Sequence, residues 1–116
     1  MPRAKGGIPE GLQRTLRERL AAHAAKAWKG RCARVEVTFR GRFAVVDAYV
    51  IDEETGKPEE VPTHLCRLEY GGDPDQWGFA FYKYSDERYE RSYLPSGVMG
   101  GTPEDCFDTA GLAYLQ

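Results

Sequence analysis

The residues able to do acid–base, nucleophilic or metal chemistry are few in this chain: His23 and His64, Asp47 isolated within FAVVDAYVID, and Cys32, Cys66 and Cys106. A histidine works as a general base when a carboxylate orients it and a cleft admits a substrate. His23 lies on the apolar stripe of a helical segment, with Asp47 as candidate partner and Cys32 or Ser96 as candidate nucleophile. Spacing does not assemble these residues into a triad, and a histidine on an apolar stripe reads first as a core group bonded to a structural carboxylate. An enzyme reading requires His23 or His64 beside Asp47 or a cysteine in a cleft.

His64 and Cys66 are two residues apart on a strand-like segment, so strict alternation gives them one face; Cys32 and Cys106 would complete four zinc ligands. Structural zinc sites use close Cys or His pairs on turns, and this chain has no Cys-x-x-Cys. Three widely spaced cysteines read as buried, reduced thiols in a reducing compartment, and no metal or cofactor is expected.

The stretch YLPSGVMGGTPEDCF, Tyr93 to Phe107, carries glycines into a helix start, as a phosphate cradle does. Its helix opens Thr-Pro-Glu-Asp, which removes one N–H at Pro103 and sets two carboxylates where an anion would sit. A loop entering a helix capped by Thr102 accounts for every residue.

Aromatic residues carry a stronger signal. In WGFAFYKY, alternation sends Trp77, Phe79 and Phe81 to one face and Tyr82 and Tyr84 to the other, so one aromatic face is left for water or a partner. Tyr82, Tyr84, Tyr89 and Tyr93 are the candidate partner-binding residues, for another protein or a second copy. Charge supplies the alternative. Residues 1–42 hold eleven Lys and Arg against three acids, and the remainder five against fifteen. Such asymmetry suits either attraction within the fold or nucleic acid, for which Arg14, Arg17, Lys29, Arg31 and Arg34 are the candidate contacts.

The elements that position these residues follow from periodicity. PEGLQRTLRERLAAHAAKAWK repeats Leu12, Leu16, Leu20 and Ala24 at helical spacing, and Gly30 suits its stop. RCARVEVTFR alternates with period two, Gly41 permits a tight turn, and FAVVDAYVID returns as a central strand. DEETGKPEEVP is a connection, HLCRLEY a third strand, WGFAFYKY a fourth and RYERSYL a fifth with Tyr89, Arg91 and Tyr93 on one face. Phe107, Ala110 and Tyr114 form the docking face of the last helix.

The expectation is an α+β protein, an antiparallel meander of about five strands with an N-terminal and a C-terminal helix packed on one face. Residues 1–8 read as a flexible tail and residues 9–116 as one domain. No segment approaches the roughly 20 apolar residues of a membrane span and the N-terminus lacks a signal-peptide run, so a cytoplasmic location and no membrane partner are expected. The functional expectation is a non-enzymatic interaction or self-associating module using the aromatic sheet face. Nucleic-acid binding is the first alternative, and a small enzyme with a His/Asp or Cys/His site the second.

Overall fold

The computed structural model describes residues 7–115. Most of the tail expected over residues 1–8 lies outside the described residues, but Ile8 is buried in the core. Helix α1, Glu10–Ala27, follows Pro9, whose fixed φ suits a helix start, and buries Leu16, Leu20 and Ala24 at four-residue spacing. It stops as Trp28 takes a non-helical conformation, with its N–H donating to the Ala24 carbonyl, and Gly30 turns the chain at φ 83°. Strands β1, Cys32–Arg40, and β2, Phe43–Val50, join at Gly41, whose positive φ makes the tight turn. Strands β3, Thr63–Tyr70, β4, Trp77–Lys83, and β5, Arg88–Arg91, complete the meander.

The sheet is the antiparallel meander expected, and its strands lie in the order β1-β2-β3-β4-β5. Two details differ from the expectation. The fifth strand ends at Arg91, so Tyr93 falls outside it. A sixth strand, β6, Gly100–Gly101, takes the remaining outer edge of β4, facing Trp77 and Gly78. Gly100 and Gly101 of the PSGVMGG loop therefore serve sheet pairing, since a Cβ on Gly100 would run into the Trp77 carbonyl oxygen, while Gly97 makes a turn at φ 91°. Helix α2, Pro103–Tyr114, then begins at Thr102, whose hydroxyl accepts from the Asp105 N–H at 3.1 Å.

Both helices pack on one face of the sheet. Rows such as Val37–Val46–Cys66–Phe81 and Phe39–Ala44–Leu68–Phe79 run across it, and Leu16, Leu20, Phe107 and Ala110 close the core above them. Each fully buried leucine contributes about 1.5–3 kcal/mol of apolar burial. Polar contacts fix the helices to each other. Arg19 donates twice to Glu104, at 2.9 and 2.7 Å, and also reaches Asp75 at 2.9 Å. His23 Nε2 and Trp28 Nε1 both donate to Asp108 Oδ1, at 2.7 and 2.8 Å. These bonds hold Glu104 below its usual carboxylate range and raise Arg19. The attraction between a basic N-terminal part and an acidic remainder is thus partly spent inside the fold. Among the described residues no helix is long and apolar enough to cross a membrane.

Candidate functional site

The face of the sheet opposite the helices carries Tyr49, Asp47, Val45 and Phe43 from β2, His64, Arg67 and Glu69 from β3, and Tyr82 and Tyr89 from β4 and β5. One irregularity organises it. Between Val46 and Asp47 the β2–β3 register shifts, so that Val46 faces Cys66 but Asp47 faces His64, with Leu65 as the extra residue. Without that bulge Asp47 would lie opposite Leu65.

Two expectations are corrected by this geometry. His64 and Cys66 do not share a face: Leu65 breaks the alternation, Cys66 is fully buried on the helix side, and His64 stands on the open side. Asp47 partners His64 and not His23, which is held by Asp108. All three cysteines are buried. Burial pushes each thiol up, Cys106 to about 12, so none is poised as a nucleophile. Among the described residues no three His, Cys, Asp or Glu side chains are grouped to hold a metal.

His64 Nδ1 lies 2.9 Å from Asp47 Oδ1. A carboxylate only accepts, so Nδ1 carries the proton and Nε2 of the neutral ring keeps its lone pair. Asp47 is nearly buried while the ring remains 40% exposed. The His64 backbone N–H donates to the Tyr84 hydroxyl at 2.7 Å, and the ring centroid lies 4.6 Å from that of Tyr82.

From there the aromatic contacts continue. Tyr82 meets Tyr84 and Tyr89 edge-on at 4.7 and 4.9 Å, the Tyr82–Tyr89 contact being a cross-strand pair. The Arg67 guanidinium sits 4.4 Å over the Phe43 ring and 5.6 Å from Tyr89. Burial, and then the Asp47 charge, raises Tyr89 above the ordinary phenol range; burial also raises Tyr84. Both therefore stay neutral hydroxyls. Beside the rings a shallow hollow of about 170 Å³ is lined by Phe43, Arg67, Glu69, Ala80, Arg91 and Met99.

Tyr82, Tyr84 and Tyr89 are thus brought together, while Tyr93, 60% exposed, stands apart from the ring cluster. The five basic candidates are dispersed. Arg17 donates to the Val37 carbonyl and covers Phe39 on the helix side. Arg34 stacks on Tyr49 on the open side, Arg31 pairs with Glu53, and Arg14 and Lys29 are exposed. Sequence reasoning missed Phe43 and Arg67; of the pairings it set as the condition for an enzyme site, the structure forms His64 with Asp47. The odd Asp in an apolar strand was the only local signal for that pair. No family model, curated protein or solved structure matches the chain.

Proposed function

We propose that this chain is a non-enzymatic protein-interaction module whose docking face is the open side of its sheet, centred on Tyr82, Tyr84 and Tyr89 with His64 and Arg67 beside them. One observation carries the reading: both helices pack on the other face, α2 reaches the cluster only at its edge, where the Tyr114 ring meets Tyr84 at 5.6 Å, and Tyr84 stays 47% exposed. Tyrosine and arginine are the residues that interfaces favour, since each offers apolar area together with a directed donor. The cross-strand packing of Tyr82 on Tyr89 and the guanidinium held over Phe43 preorganise the surface, which lowers the ordering cost of binding.

A photo-crosslinking side chain at Tyr84 tests this, with the same group at the exposed Ala22 of α1 as control. A discrete crosslinked protein from position 84 that is lost with Tyr82→Ala supports the reading. Equal labelling from both positions, or none from 84, refutes it.

The His64–Asp47 pair favours a second reading, an imidazole base with a free Nε2. Hydrolysis of an activated ester by the wild type and by His64→Gln decides it: equal rates remove a catalytic role. The nucleic-acid reading draws less support, because Arg17, Arg31 and Arg34 are engaged in separate intrachain contacts.

A further inference from the structure

The two edges of the sheet are built differently. On one side the outer edge of β4 is shared by the four-residue β5 and the two-residue β6. Short strands blunt an edge. On the other side β1 runs for nine residues, CARVEVTFR, without proline, glycine or lysine, and among the described residues it pairs only with β2. The Val37 carbonyl accepts from Arg17 Nη2 at 3.2 Å, so it points away from β2, and by alternation the backbone groups of Val35 and Phe39 also point outward. Beside them an open groove of about 670 Å³ runs between β1 and α1, lined by Gln13, Arg17, Ala21, Val35 and Phe39 among others.

Side chains on the open side of β1 select what can pair there. Glu36 faces another acid, Asp47, across the β1–β2 ladder. Among the described residues neither Glu36 nor Arg40 takes part in an ion pair, whereas Arg34 is already occupied, 3.9 Å over the Tyr49 ring. We infer that β1 is a homodimerisation edge at which two copies pair antiparallel about a two-fold axis at Thr38. In that register Val37 faces Phe39 of the second copy on the helix side. On the open side Glu36 faces Arg40 of the second copy, twice, which sets a cation beside the two acids Glu36 and Asp47 that face each other across the ladder. The Val37 carbonyl has two lone pairs and accepts the Phe39 N–H of the second copy while keeping Arg17.

Other axes are less favourable on charge or geometry: one at Phe39 pairs Val37 with Gly41 of the turn and draws on Arg42, which faces Glu69, and one at Arg40 sets two guanidinium groups opposite each other. An axis at Glu36 sets the two carboxylates opposite each other, and one at Val37 sets Arg34 against Arg40. An axis at Val35 pairs Arg34 with Glu36, but it takes Arg34 from Tyr49 and runs into the bulge at Ala33, where the β1–β2 register shifts. The Thr38 axis leaves the tyrosine cluster free, so this inference stands independently of the docking face proposed above.

Sedimentation velocity from about 1 μM to about 1 mM, the range of weak to moderate affinities, tests it. The wild type is expected to reach twice the 13.1 kDa chain mass. Glu36→Arg and Arg40→Glu each turn two attractive cross-strand pairs into repulsive ones and should weaken the dimer about 30-fold. The double variant, E36R with R40E, exchanges the partners and should restore it. Thr38→Lys sets two ammonium groups against each other on the axis and should also give monomer, with circular dichroism confirming that each variant folds. A wild type at the chain mass throughout, single reversals that stay dimeric, or a double variant that stays monomeric would each overturn the proposal. Tyr82→Ala should leave the dimer intact; a loss there would move self-association to the tyrosine face and overturn it equally.

Discussion

Removing either partner of the His64–Asp47 pair should destabilise the fold unequally, and the histidine variant should be the worse of the two. The Asp47 side chain is 12% exposed and the His64 side chain 40%. His64→Leu keeps an apolar group against Tyr82 but leaves a buried carboxylate without its donor, and beside Glu36. A stranded buried charge-bearing acceptor costs about 2 kcal/mol. Asp47→Ala instead leaves a histidine that water can satisfy, and it also removes the Glu36 repulsion, so the net loss is about 1 kcal/mol or less. The double variant should cost less than the sum of the singles, with a coupling of about 1 kcal/mol. Urea unfolding at pH 7 measures all four species, and unchanged m-values would confirm that the denatured state is common to them. In thermal melts the histidine variant should fall by roughly 6–8 °C and the aspartate variant by roughly half of that. An aspartate variant that costs as much as the histidine one, or strictly additive losses, would refute the reasoning from burial.

Three further outcomes follow from contacts elsewhere in the fold. Gly111→Ala should lower stability by about 1–3 kcal/mol in the same urea assay, because a Cβ there would lie 2.6 Å from the Trp28 ring, which Asp108 holds in place. Gly100→Ala should displace β6 from β4, since the added carbon would meet the Trp77 carbonyl; amide hydrogen exchange should show lost protection at Phe79, whose N–H donates to the Met99 carbonyl. Glu104 has its pKa lowered chiefly by the Arg19 bonds, so its contribution is present above the unfolded value near pH 4.3 and is lost as pH falls through the folded value. Glu104→Gln should therefore cost about 0.5–1 kcal/mol at pH 7 and nothing at pH 2, and a penalty that does not shrink on acidification would show that the ion pair is not its source.

Much of the scaffold was legible from local pattern. Leucines at four-residue spacing, the alternation of Val35, Val37 and Phe39, the turn at Gly41 and the Thr102-Pro103 helix start each state a preference that needs no distant partner. The tyrosine face was legible for the same reason, because alternation along β4 must divide Trp77, Phe79 and Phe81 from Tyr82. Strand β6 was not legible, since two glycines have no pattern and their reason lies in the close approach of the Trp77 backbone.

The sequence by itself determined which segments are helix and which are strand, and that aromatic side chains emerge on both sides of the sheet. Periodicity encodes these properties residue by residue. Only the tertiary structure decided who meets whom. A single extra residue at Leu65 moves His64 opposite Asp47 and turns it to the open face while Cys66 stays in the core, and helix packing gives Asp108 to His23. Alternation fixes the face of a side chain only while register is unbroken, and a bulge is a property of two strands together, to which neither sequence alone commits.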